Sequence, residues 1–206
     1  LLQVSRAKRG DKGVWAFREW IRESLAGNKP YDRMVRELIT ARGSTYQNPP
    51  ANFFRFTREP KVAMETTTQL FLGVRMVCAQ CHDHPFEQWT QNQYYNLSAF
   101  FGKLAVKPGE DSDEEVVYDK REEFEITHPK DGRTMPARFL FTVDNAVVRE
   151  DDLRDSLAGW LTSRGNPLFA KSMANRMWSY FFGKGIIDPV DDIRASNPPS
   201  NPALLD

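Results

Sequence analysis

Both cysteines of the chain stand in one five-residue run, Cys78-Ala79-Gln80-Cys81-His82. Because the 206 residues contain no third cysteine, a network of disulfide bonds cannot hold this fold together. Its stability therefore has to come from apolar packing, for which 40% hydrophobic residues are available. A chain of this length builds one large domain or two small ones, since domains contain about 100–200 residues.

The charges of the chain balance, with 28 basic and 28 acidic side chains and a formal net charge of zero. A general nucleic-acid binder carries an excess of basic residues, so we expect no nucleic-acid partner. The sequence has no apolar run of about eighteen residues, and we therefore expect no transmembrane segment. Because the first residue is Leu1 rather than Met and the last residues resemble the start of a helix, we expect the chain to be part of a longer protein.

Apolar residues recur with helical spacing along most of the chain. Val14, Phe17 and Ile21 indicate an amphipathic helix over residues 13–26, and a second helix is predicted to end before Gly43. Proline and asparagine predict a loop over residues 44–59 and an extended segment over residues 186–202. The same spacing predicts four further helices: from Val62 into the cysteine run, over residues 91–104, from Leu153 to Leu161, and from Phe169 to Gly183.

Residues 115–141 break the helical pattern. Val116-Val117-Tyr118 and the apolar residues around Ile126 are typical of strands, and Lys130-Asp131-Gly132 is typical of a turn. We expect a small antiparallel hairpin or three-stranded sheet there, so the predicted fold class is mainly α with a small antiparallel β insert. The acidic run over residues 110–115 is either a solvated loop or a docking patch for a basic redox partner.

The cysteine run has the spacing of a c-type haem attachment motif. Two thiols three residues apart on one turn can each add to a vinyl group of the same porphyrin, and His82 can then bind the iron from the proximal side. The sequence therefore predicts a covalent haem c on Cys78 and Cys81. Because such haem is attached outside the cytoplasm, we expect the protein to be periplasmic or otherwise exported.

Two other types of site use similar residues. A zinc ion could be bound by Cys78, Cys81 and the nearby histidines, although structural zinc sites usually take their second pair of ligands from a distant segment. A thiol redox pair is expected within a βαβ unit, which this sequence does not indicate. Two alternative functions therefore remain open. One is an oxidoreductase that depends on haem or another metal, and the other is a non-redox interaction module in which a metal ion holds the cysteine run together.

The sequence offers three candidates for a distal or hydrogen-bonding position near the haem. His84 follows His82 too closely to reach the far side of the same iron, so we expect it to form a hydrogen bond near the haem edge. His128 and Met135 lie in the predicted β insert, which could fold over the distal face. A sixth ligand from Met or His favours electron transfer, whereas an open position favours the binding of a small molecule.

Two groups of residue runs are distinctive. They are Thr68-Gln69-Leu70-Phe71-Leu72-Gly73, the run from Cys78 to Phe86, Tyr94-Tyr95 and Ala99-Phe100-Phe101 in the first part of the chain, and Leu157-Ala158-Gly159-Trp160, Asn175-Arg176-Met177-Trp178, Phe181-Phe182-Gly183 and Asp188-Pro189-Val190-Asp191-Asp192 in the second. In these runs the chain resembles the planctomycete cytochrome c-like domain family, followed by the domain of unknown function that usually accompanies it.

The resemblance implies that residues 1–105 are the C-terminal part of a cytochrome c-like helical haem domain, that residues 106–145 are a β-rich insert or linker, and that residues 146–206 are the N-terminal part of the partner domain. It also implies a large exported protein with a suspected role in polysaccharide metabolism. From the haem motif we expect this part to transfer electrons to or from a redox partner protein.

Overall fold

The computed structural model describes residues 11–83, 88–121 and 126–205. Within these ranges the chain is mainly helical and has one small antiparallel sheet, which confirms the predicted fold class at that level. None of these helices is both long enough and apolar enough to cross a bilayer. The helices are α1 (Asp11–Ala26), α2 (Tyr31–Ile39), α3 (Phe53–Phe56), α4 (Pro60–Thr67), α5 (Gln91–Ser98), α6 (Leu153–Leu161), α7 (Phe169–Phe182) and α8 (Pro202–Leu205), and the strands are β1 (Gly43–Ser44), β2 (Leu104–Pro108) and β3 (Glu115–Asp119).

The amphipathic helices form where the apolar spacing predicted them. Val14 and Phe17 of α1 are buried, and so are Val35 and Leu38 of α2. Side chains also fix the starts of the later helices: Asp152 accepts a hydrogen bond from the backbone N–H of Asp155 at the start of α6, and Asn166 accepts from two N–H groups at the start of α7.

The helix predicted to run from Val62 into the cysteines is interrupted before it reaches them. After α4 the chain forms a π-helical turn (Thr68–Leu72) and then adopts a left-handed conformation at Gly73, where φ is +67°. A Cβ atom at Gly73 would lie 2.8 Å from a side-chain carbon of Ile193, whose N–H donates to the Gly73 carbonyl over 2.7 Å. The cysteine run therefore lies on a separate turn, and the prediction of one continuous helix was wrong.

The sheet lies earlier in the chain than its predicted position. Its strand order is β1-β3-β2, and both pairs of strands are antiparallel. In the pair formed by β2 and β3, Val106 lies opposite Val117. The helix predicted to reach Leu104 ends in a 3₁₀ turn at Phe101, which frees Leu104 to begin β2. β1 falls within the segment predicted as a loop and pairs with β3 across about seventy residues of sequence, a pairing that no local pattern indicates.

The acidic run forms the connection between β2 and β3. In the rest of the predicted insert, Thr127 and Thr134 form an isolated bridge, and residues 122–125 lie outside the described residues. The insert therefore consists of a two-stranded hairpin completed by β1, followed by mostly irregular chain.

One hydrophobic cluster extends from Phe17 to Phe169. Two of its members, Phe100 and Trp160, stack on the half-buried Phe139: the ring of Phe139 is 5.0 Å from that of Phe100 and 5.3 Å from that of Trp160, with interplanar angles of 12° and 5°. Trp160 is 1% exposed and its indole N–H donates to the Phe141 carbonyl over 3.0 Å. Segments that are far apart in the sequence therefore pack into one core.

Candidate functional site

The cysteine run forms a short 3₁₀ turn (Val77–Gln80) on the surface. In a 3₁₀ helix, side chains at positions i and i+3 nearly eclipse each other. Met76 and Ala79 accordingly face the core, with exposures of 1% and 0%, whereas Cys78 and Cys81 are both exposed and both free thiols. The turn therefore presents the two sulfur atoms to solvent on one face.

Helix α5 fixes the backbone of this turn. The Gln80 carbonyl accepts hydrogen bonds from Gln91 Nε2 over 2.9 Å and from the Tyr95 hydroxyl over 3.1 Å. The Asp83 carboxylate accepts from the backbone N–H of Gln91 over 2.8 Å. Together with the buried Ala79, these contacts hold both ends of the run, so the orientation of the thiols is set by the fold.

Sequence reasoning did not identify Gln91 and Tyr95 as supports of the turn. A local signal was present, because Thr90 and Gln93 form a capping box at the start of α5. That motif marks where a helix begins, and this helix begins soon after the cysteine run. The partner of the Gln91 side chain could only be recognised from the structure.

His82 is exposed next to the thiols. Its Nδ1 lies 2.7 Å from the Asp83 carbonyl oxygen, so Nδ1 in its protonated form donates to that oxygen. In the neutral tautomer that carries its proton on Nδ1, Nε2 is the unprotonated nitrogen, the atom that a metal ion or haem iron would bind. His84, the neighbouring candidate, lies outside the described residues.

A groove of about 410 Å³ lies beside the turn and includes Val77 and Gln80 in its wall. Val77 and Val62 are 55% and 42% exposed at this groove, and Ile126 completes its apolar part. Lys61 adds a cation, with Nζ 5.0 Å from the centre of the Tyr95 ring. The groove is of the size of small-molecule sites, which measure about 300–1,000 Å³.

A pair of polar side chains, the buried Tyr94 and the half-buried Glu65, lies at this groove. The hydroxyl of Tyr94 donates to the carboxylate of Glu65, and Glu65 also lines the groove. Burial, followed by this hydrogen bond and the charge of Glu65, raises the pKa of Tyr94 well above its usual range. Tyr94 is therefore a neutral hydrogen-bond donor at every physiological pH.

The structure places His128 and Met135 in the core, each 5% exposed. The ring of His128 lies 5.6 Å from that of Tyr95, so His128 packs against a residue that holds the turn. The backbone N–H of Met135 donates to the carbonyl of Ile126 over 2.7 Å. Met135 also lines a different cleft, beside Asn92 and Asn96. His128 therefore supports the site indirectly, and Met135 is connected to it through the backbone of Ile126.

The residues of the turn fit covalent attachment of a haem. Two free thiols share one exposed face, and the adjacent imidazole has its Nε2 available. In the described parts of the chain, no three His, Cys, Asp or Glu side chains converge closely enough to hold a metal ion.

Comparison with known protein families gives two matches. Residues 3–105 match the family PSCyt2, described as a protein of unknown function (DUF1549), and residues 153–206 match the family PSD1, described as a protein of unknown function (DUF1553). Both families are typical of planctomycetes. No curated protein and no solved structure matches the chain. Because the first match spans half of the 206 residues, the chain belongs to the DUF1549 family of proteins of unknown function.

Proposed function

We propose that this chain binds one haem covalently through Cys78 and Cys81, with His82 as the proximal iron ligand, and that it transfers electrons as part of an exported protein. The observation that carries the proposal is the exposed turn with two free thiols on one face and an imidazole beside them. The sequence alone specifies two cysteines and a histidine at this spacing. The structure of the turn adds that both thiols are exposed on the same face.

The surrounding residues would prepare the turn for this attachment. Gln91 and Tyr95 hold the Gln80 carbonyl, and the buried Ala79 packs in the hydrophobic core. The thiols are therefore presented without a change in backbone conformation, which reduces the entropic cost of forming two bonds to one rigid ring.

His82 and the groove would set the properties of the bound group. A bound haem supplies a one-electron couple between ferric and ferrous iron. Hydrogen bonding of His82 Nδ1 to the Asp83 carbonyl increases the basicity of the ligating nitrogen and fixes the plane of the imidazole. The apolar side chains of Val62, Val77 and Ile126 would keep water from one side of the group.

Three further parts of the proposal concern the setting. Covalent attachment requires maturation outside the cytoplasm, which supports a periplasmic or otherwise exported location. The acidic connection between β2 and β3 offers exposed carboxylates, such as Glu110 and Asp113, to a basic redox partner protein. The role in polysaccharide metabolism rests on the resemblance to the planctomycete cytochrome c-like family.

The test is to express the protein together with a c-type maturation system and to record its intact mass and pyridine haemochrome spectrum. We expect a mass increase of one haem per chain and the band of a haem with two thioether bonds. Cys78→Ala and Cys81→Ala should each shift the band to that of a single thioether, and the double variant should lose the covalent haem.

Further variants assign the iron ligands. His82→Ala should abolish the low-spin spectrum, whereas Gln69→Ala, which changes an exposed polar residue away from the turn, should leave it intact. His128→Gln and Met135→Leu test the two distal candidates, because loss of the sixth ligand converts the iron to a high-spin form that binds carbon monoxide. An unchanged mass with one zinc per chain, or with a Cys78–Cys81 disulfide, would refute the haem proposal.

A further inference from the structure

A second groove, of about 520 Å³, shares no lining residue with the groove beside the cysteine turn. It lies between α2, the loop over residues 144–149, and α6 together with the turn that follows it. Arg36, Arg149 and Arg164 contribute to its wall from these three segments. Three arginines therefore line one concave surface, although the net charge of the chain is zero.

Hydrogen bonds to α6 fix the loop that forms one wall. The Arg149 backbone N–H donates to Ser156 Oγ over 2.9 Å, and Trp160 Nε1 donates to the Phe141 carbonyl over 3.0 Å. Gly159 forms part of the floor, and a Cβ atom built there would meet no other atom within 4 Å. The groove is therefore preformed, and it has free space above a helix that packs against the core.

The charges in this groove are incompletely balanced. Arg149 forms an ion pair with Asp155. Within the described residues, the guanidinium groups of Arg36 and Arg164 have neither an ion pair nor a hydrogen bond. Asp144 is the other carboxylate in the wall and is exposed. The lining thus contains three cations and two carboxylates, with two guanidinium groups available to an incoming ligand.

We propose that this groove binds a small ligand that carries an oxyanion, namely a carboxylate, sulfate or phosphate group. The planar fork of a guanidinium group matches the two oxygen atoms of such a group and forms charge-assisted hydrogen bonds with it. The volume lies within the range of small-molecule sites, about 300–1,000 Å³. Ser163 and Asp144, also in the wall, can bind hydroxyl groups of the same ligand.

The experiment is calorimetric titration of the purified protein with inorganic phosphate, sulfate and acetate, each at a constant ionic strength maintained with chloride. We expect saturable binding of at least one of these anions at one site, and the anion with the lowest Kd identifies the preferred group. Arg36→Gln and Arg164→Gln should each weaken binding about tenfold or more, since each removes a hydrogen bond to a charged group.

Arg33→Gln is the matched control, because Arg33 lies on the same helix as Arg36 but outside the groove. It should leave the Kd unchanged. Gly159→Leu is a second, independent variant: its side chain would fill the groove without meeting other atoms at Cβ, and leucine favours a helix more than glycine does. It should abolish binding while the melting temperature stays equal or rises.

Three results would overturn the proposal. The first is the absence of saturable binding for all three anions. The second is equal weakening in Arg33→Gln and Arg36→Gln, and the third is full binding in Gly159→Leu; either of these would mean that any binding reflects general surface charge. Because no variant changes the cysteine turn, the result does not depend on whether the protein binds haem.

Discussion

Arg154 is the charged residue whose removal should be most damaging to this fold. It lies on α6 with its side chain 2% exposed. Its Nε and Nη2 atoms donate to the two carboxylate oxygens of Asp119 over 2.9 and 3.0 Å, and Nη1 donates to the carbonyls of Ile39 and Ala41 over 3.1 and 2.8 Å. One guanidinium group thus joins α6, β3 and the end of α2.

We expect Arg154→Met to lower the free energy of unfolding by about 4 kcal/mol, because removing one partner of a buried ion pair typically costs 3–5 kcal/mol. The long apolar side chain of methionine retains part of the packing on Phe54, whose ring centre is 5.0 Å from the guanidinium carbon. Asp119 keeps its contact with Arg42 over 2.5 Å. The two carbonyls of Ile39 and Ala41, however, lose the donor that the structure gives them.

The assay is urea denaturation followed by tryptophan fluorescence. With an m-value of about 2.5 kcal/mol per molar urea, a loss of about 4 kcal/mol lowers the midpoint by about 1.6 M. Arg33→Met is the control: Arg33 is 72% exposed and pairs with Glu37 one turn away, and such a pair contributes about 0.5 kcal/mol or less. A midpoint in Arg154→Met within about 0.3 M of the control would refute the reasoning.

Two further predictions concern backbone strain and pH. Gly73→Ala should lower the melting temperature more than Gly132→Ala. Both glycines have a positive φ, +67° and +69°, so both substitutions strain the backbone, but only at Gly73 does the new methyl group meet Ile193. Equal losses of melting temperature would show that the packing around Gly73 is loose. Burial raises the pKa of Asp119, yet hydrogen bonds and charges from Arg154 and Arg42 outweigh it and hold that pKa below its usual range. Asp119 therefore stabilises the fold above about pH 3.9, and this contribution is lost as the pH falls through the lower pKa of the folded state. Urea midpoints of the wild-type protein should decrease below about pH 4. In Asp119→Asn this decrease should be less steep.

Local patterns predicted the helices well and their ends poorly. Val14 and Phe17 of α1 are buried as their spacing predicts, whereas Ile21 is only half-buried. The break at Gly73 could not be predicted, because it depends on packing against Ile193, which is 120 residues away in the sequence. β1 was missed for a similar reason, since its two residues acquire a strand conformation only by pairing with β3.

The candidate site shows the same division. The residue types of the cysteine turn and their spacing were evident in the sequence. The exposure of both thiols, the burial of Ala79 and the hydrogen bonds from Gln91 and Tyr95 were not, because each depends on how α5 packs against the turn. Likewise, His128 was a candidate by residue type, whereas its burial against Tyr95 follows from the tertiary fold.

The stack of Phe100, Phe139 and Trp160 has a consequence for how this protein can evolve. Phe100 belongs to the segment matched by DUF1549 and Trp160 to the segment matched by DUF1553, while Phe139 lies between the two matched segments. A change in the size of any one ring alters the space available to the other two, so the three positions are expected to vary together. Exchange of one matched segment without the other would therefore change the packing on both sides of Phe139.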